Sequence, residues 1–186
     1  MGKINGKIIA IALVVLVVLW GVGSYNGLVA LDQKTKESYS QIQNQLQRRA
    51  DLIPNLVETV KGYAKQEREV IQSVTDARAK LAGARTPQEQ AAANNELNSA
   101  LSRLLVVVEN YPNLKSDANF RQLMDELAGT ENRIAVARRD YNAAVKEYNV
   151  KIKRFPTVIM ARLFGFNEKQ YFEANPNAQN PPEVKF

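Results

Sequence analysis

The residues able to do chemistry set narrow limits on this chain. Ser, Lys, Asp and Glu are present, but at no spacing that pairs a nucleophile with a base. Cys and His are both absent. That excludes disulfides, thiolate metal sites and cysteine nucleophiles. It also removes the commonest general base and the commonest transition-metal ligand. A Glu-x-x-His di-iron site, frequent in helical bundles, cannot be built. No Gly-rich phosphate loop occurs. The chain is therefore expected to be no enzyme, with no catalytic residue, no metal ligand and no cofactor.

Charged side chains carry what recognition signal there is. The most unusual constellation is Arg48, Arg49 and Asp51 beside Pro54. Under the functional reading, the proline frees a backbone carbonyl and makes a docking point for a partner helix. Under the plainer reading, Arg49 lies on an apolar seam and pairs with a carboxylate such as Glu131, as a buried arginine normally must. A second polar run, Glu131, Asn132, Arg133, Arg138, Arg139, Tyr141 and Asn142, is either a recognition face or a network that sets helix register. A third run is basic: Arg138, Arg139, Lys146, Lys151, Lys153, Arg154 and Arg162. Such a run is usually a solvated face. Here it leads into the apolar residues Val158, Ile159, Met160, Leu163, Phe164 and Phe166, and basic plus apolar is the recipe for interfacial binding. Anionic lipid is thus an expected partner. Nucleic acid is not, for want of a groove-reading motif.

The elements that must position these residues are helical. No charge occurs between Ile8 and Leu31, and Ile8 to Val22 is almost wholly Ile, Ala, Leu and Val. A spanning helix needs roughly 20 apolar residues, so residues 8–27 are expected to cross a lipid bilayer. A short flank, residues 1–7, precedes them. Trp20 and Tyr25 lie where an aromatic belt would sit. The rival reading is a cleaved signal, with Lys3 and Lys7 as its basic flank and Gly21-Val22-Gly23 as its cleavage site. The segment is expected to stay uncleaved as an anchor. Lys34 and Lys36 nearly balance Lys3 and Lys7, so orientation rests on the short N-terminus being the part left untranslocated. The expectation is a single-pass protein of the bacterial inner membrane, N-terminus cytoplasmic and bundle extracytoplasmic.

The remaining length of this 186-residue chain holds one compact domain, expected over residues 28–166. From Ile42 to Leu81 apolar residues recur in steps of four and three, the coiled-coil-like seam of a helix packed along its length. Pro54 should kink or break that helix, and Gly83 should close it as the C′ residue. Thr86-Pro87-Gln88-Glu89 reads as a capping box opening a second helix, which runs to about Glu109. Tyr111-Pro112-Asn113 is a turn, and a third helix begins near Asp117 and ends at Phe155-Pro156. The fold expected is all-α: a transmembrane helix continuing into an elongated antiparallel bundle of three to four helices, up-down-up plus a short C-terminal helix. Residues 167–186, rich in Asn and Pro, are expected to form an irregular tail.

Up-down-up topology has a consequence for the C-terminal apolar piece. A first helix from Leu28 to Leu81 would reach roughly 80 Å, and the second returns only part of that. Val158 to Phe166 would then sit at a distal tip, out of reach of the membrane. It would be buried either by folding back on the bundle or by packing on other copies.

Several stretches in order resemble the LemA family. They are Tyr25-Asn26, Leu31-Asp32-Gln33, the block Gln43 to Val57 with Arg48-Arg49-Ala50-Asp51-Leu52-Ile53-Pro54-Asn55-Leu56, then Thr59 to Tyr63 and Ala77-Arg78-Ala79. Tyr111-Pro112-Asn113-Leu114, Asn119-Phe120, Glu126-Leu127, Thr130 to Ile134, Ala137-Arg138, Tyr141-Asn142, Phe155-Pro156, Gly165-Phe166 and the closing Phe186 continue the likeness. The resemblance covers essentially the whole chain. It implies a bacterial single-pass membrane protein with an elongated helical bundle and no established activity; some relatives are associated with magnetosomes. The expected function is a non-enzymatic membrane-anchored scaffold of the cell envelope that self-associates as a homo-oligomer. The alternative is an adaptor presenting its bundle to a membrane-protein client such as a protease.

Overall fold

The computed structural model describes residues 6–172. The flank before Gly6 and the expected irregular tail beyond Phe172 lie outside the described residues. All regular structure among the described residues is helical: α1 (Gly6–Tyr63), α2 (Arg68–Gly83), α3 (Pro87–Val108), α4 (Pro112–Ser116), α5 (Ala118–Lys153) and α6 (Thr157–Leu163). The all-α class is as the periodicity requires. Two compact units result, one holding the chain up to Ser38 with Ala143–Lys169, the other Tyr39–Asn142 and the chain from Gln170.

The second unit is an antiparallel four-helix bundle. Its core is the seam read from the sequence: Ile42, Leu46, Ile53, Leu56, Val60, Val74, Ala77 and Leu81 are buried, facing Leu97, Leu104, Leu127 and Ile134. The expected first helix, however, is two helices. The chain leaves helical geometry between Ala64 and Glu67 and reverses, so α2 runs back along α1. Tyr63 is exposed, and its hydroxyl donates to Asp117 at 3.0 Å; the Tyr111 hydroxyl likewise donates to Glu67 at 2.8 Å. Pro54, by contrast, does not end α1, which continues to Tyr63. Gly83 is the last residue of α2 rather than the residue beyond it, and Ala84 N–H closes the helix on the Leu81 carbonyl.

Helix starts follow their caps. Thr86 accepts from Glu89 N–H while Glu89 accepts from the N–H groups of Thr86 and Arg85, with Pro87 opening α3. At α5, Asp117 accepts from Phe120 N–H at 2.9 Å.

The first unit joins α1 to the end of α5 and to α6. Leu28, Tyr148, Ile152 and Ala161 form its core, with Leu31, Met160 and Phe166 packed against them. Ion pairs Lys34–Glu147, Lys169–Asp32 and Lys153–Glu168 surround it. Gly165 ends α6 at φ +73°, where the Phe166 N–H reaches the Ala161 carbonyl at 2.9 Å. That pairing is the six-to-one bond of a Schellman cap, for which glycine is suited. The C-terminal apolar piece is thus not at a distal tip. Within this unit α6 and the end of α5 pack on the stretch of α1 around Leu28.

Candidate functional site

Arg49 is the centre of the one buried charged cluster among the described residues. It sits on the inner face of α1, 3% exposed, one helical turn after Leu46 and before Ile53. Its guanidinium donates to Asn94 Oδ1 at 2.7 Å, and also to Asn98 Oδ1 and Glu131 Oε2. Asn98 Nδ2 donates in turn to Glu131 Oε1 at 3.3 Å. Burial lowers the Arg49 pKa below its ordinary value, and the Glu131 carboxylate opposes that shift. The cluster therefore joins α1, α3 and α5 through one cation, with Arg49, Asn98 and Glu131 bonded in a ring while Arg49 Nε and Asn94 Nδ2 meet no partner among the described residues.

Asn94 and Asn98 were not singled out in the sequence. Their spacing of four puts both on one face of α3, beside the apolar stripe, and that was the available signal.

The neighbours of Arg49 do not share its site. Arg48 is exposed and stands 4.0 Å from Glu126. Asp51 is exposed and accepts from Gln47 at 2.8 Å. Pro54 is exposed, and the carbonyl it leaves unpaired in α1, that of Ala50, accepts from Arg78 of α2 at 2.8 Å. The freed carbonyl is thus occupied inside the bundle. Arg139 is exposed beside Asp140, and Arg138 lies over the Phe172 ring at 5.0 Å.

A second device, also missed, holds the chain that follows α6. In the first unit the Asn149 side chain accepts from Lys169 N–H at 2.9 Å and donates to the Lys169 carbonyl at 2.8 Å. In the other unit Asn142 makes the same pair of bonds to Phe172, at 2.9 and 3.0 Å. Tyr141 donates its hydroxyl to the Gln170 carbonyl at 2.8 Å. Burial, with Tyr39 alongside, pushes that phenol up to about 12, so it remains a donor. A side-chain amide offers both a donor and an acceptor, so one Asn can satisfy both backbone groups of a residue outside regular structure.

The remaining site residues lie in the first unit. Val158 is half-buried against the unit, and Phe166 packs on its core. Ile159, Leu163 and Phe164 are 54%, 72% and 53% exposed, as is the neighbouring Phe155 at 81%. The Phe164 ring packs tilted at 58° against Tyr25 with centroids 4.8 Å apart, and a Cβ placed on Gly21 would lie 3.6 Å from Met160 Cε. Farther toward the N-terminus, α1 exposes Ile8, Ile9, Ile11 and Leu13 to Leu19, and it is long and apolar enough to cross a membrane.

An apolar N-terminal helix leading into an antiparallel bundle closed around a buried arginine defines a class of membrane-associated all-α protein. The chain belongs to the LemA family, whose model matches residues 38–186. It is 30% identical to magnetosome protein MamQ 2 of Paramagnetospirillum magneticum over 183 residues, 84% of this chain and 67% of that protein. Magnetosome protein MamQ of Magnetospirillum gryphiswaldense is 27% identical, with the same coverage. Protein LemA of Metamycoplasma hominis is 25% identical over 155 residues, 83% of this chain and 71% of that protein.

Proposed function

We propose that the protein is a non-enzymatic, membrane-anchored scaffold of the bacterial cell envelope, held by residues 8–27 and presenting its bundle on the extracytoplasmic side. The observation that carries this is the Arg49 cluster buried inside the bundle. The two Nη groups of Arg49 are engaged inside the bundle by Asn94, Asn98 and Glu131, which supports a body whose role is to present surface. Retention of the anchor is supported by Met160, which rests against Gly21. Cleavage after Gly23 would remove that contact. Relatives named as magnetosome proteins lean toward a role in organising membranes.

Self-association and client presentation make different demands on size. A scaffold forms homo-oligomers alone, whereas an adaptor stays a single copy until a membrane-protein client is added. Native mass of the full-length protein in nanodiscs decides this, and a single copy per disc at all loadings overturns the scaffold reading. Intact mass of the membrane-extracted protein tests the anchor, and a mature form starting near Ser24 overturns it. External protease on spheroplasts should digest the bundle; protection would reverse the orientation.

A further inference from the structure

We propose that α6 and the last turns of α5 lie in the membrane interface as a wedge beside the anchor, with apolar side chains among lipid and a basic rim on anionic phospholipid headgroups. The proposal rests on the anchor reading, and deepens it by naming a second lipid-binding surface. Helix α6 buries only one face, through Thr157 and Ala161. Its other face, with Phe155 just before it, presents four large apolar groups: Phe155, Ile159, Leu163 and Phe164. A contiguous apolar patch of this kind is unusual on a surface that meets only water.

Position supplies the occupant. Met160 rests against Gly21, and the Phe164 and Phe166 rings lie 4.8 and 5.8 Å from the Tyr25 ring. Gly21 and Tyr25 belong to the last turns of the apolar stretch, where aromatic rings favour the headgroup level. The exposed apolar surface of residues 8–22 therefore continues onto α6, so whatever solvates the first solvates the second. A bilayer around the anchor meets α6 at its boundary.

Charge agrees with this. Lys34, Lys153 and Lys169 are neutralised by Glu147, Glu168 and Asp32. Lys146, Lys151, Arg154 and Arg162 have no carboxylate partner among the described residues and are exposed. Three of these four line a shallow groove with Gly27, Leu31 and Val150. Long basic side chains beside an apolar face reach headgroups while their stems stay on hydrocarbon.

The chain has no Cys, so one introduced thiol can report on each position. Full-length Leu163→Cys, Val136→Cys and Val15→Cys proteins are labelled with a small fluorophore. Each is placed in phosphatidylcholine nanodiscs with or without phosphatidylglycerol. The Leu163 label should be quenched by a nitroxide near the lipid carbonyls and shielded from an aqueous quencher. The Val136 label, on the exposed face of α5, should show the reverse. The gain in lipid quenching with phosphatidylglycerol should vanish in Lys151→Gln/Arg154→Gln/Arg162→Gln protein. A Leu163 label open to water, while the Val15 label remains lipid-quenched, overturns the wedge and leaves the anchor standing. A Val15 label that lipid does not quench overturns both. A Leu163 label shielded from water and lipid alike means that a second copy covers α6, and the proposal fails. Quenching that ignores phosphatidylglycerol, or a gain that survives the triple substitution, removes the headgroup contact.

Discussion

The Arg78 guanidinium donates to the carbonyl of Ala50, the acceptor that Pro54 strips of its helical partner. Helix α1 can therefore carry a proline without ending, because α2 supplies the donor that the ring lacks. The two positions should be coupled. Arg78→Leu should destabilise the bundle by about 1–2 kcal/mol, the usual cost of losing a charge-assisted bond to a partly buried carbonyl. In a Pro54→Ala background the new N–H takes the Ala50 carbonyl, and the same substitution should cost markedly less. Denaturant unfolding of the four proteins measures this coupling; additive effects would mean that Arg78 acts elsewhere.

Glu131 balances a buried charge. Glu131→Leu leaves Arg49 without its counter-ion and should cost about 2–3 kcal/mol, the low side for a buried pair because Glu131 is partly exposed. Arg49→Met in the same chain removes the orphaned charge and should recover part of that loss. If the double variant is the less stable one, Arg49 contributes through packing and not through its charge.

Cap strength can be read at one residue. Thr86→Ala should cost about 1 kcal/mol, with α3 fraying at its first turn. Hydrogen exchange at Glu89 N–H should rise accordingly, and an unchanged rate would show that the turn is already open.

Acid should loosen the start of α5. The Phe120 N–H, and then the Tyr63 hydroxyl, hold the Asp117 carboxyl below the usual carboxylate range. A carboxyl with a lowered folded pKa contributes stability that is present above its unfolded pKa and lost as pH falls through the folded one. Protection of the first α5 amides should therefore fade as pH drops through the low carboxylate range. Asp117→Asn keeps a capping side chain but cannot titrate, so its protection should respond less to acid. Equal responses would place the acid-labile group elsewhere.

Asn149 and Asn142 each hold both backbone groups of one residue after α6. Asn149→Ala should expose both backbone groups of Lys169 and speed exchange of its amide by an order of magnitude or more, as expected for losing about 1–2 kcal/mol of hydrogen bonding. Asn142→Ala should do the same at Phe172. Amides that exchange no faster would show that packing alone holds this segment.

Side-chain types and their spacing determined a good deal about this protein. The apolar run from Ile8 set the candidate span, the Thr86 to Glu89 box set the start of α3, and the steps of four and three from Ile42 to Leu81 set the core face. The pairing of Arg49 with Glu131 was legible because a charge on an apolar seam must find its opposite. What only the tertiary structure decided was direction. Periodicity tells which face of a helix is buried but carries no sign for which way the helix runs. The apolar pattern stays nearly in phase on both sides of Ala64 to Glu67, so a reversal there leaves little trace in it. Missing that one turn inverts the direction assigned to the helix that follows it. The partners of Ala50, Lys169 and Phe172 were hidden for a related reason. A backbone group has no residue type, and which side chain satisfies it depends on what the fold brings within 3 Å.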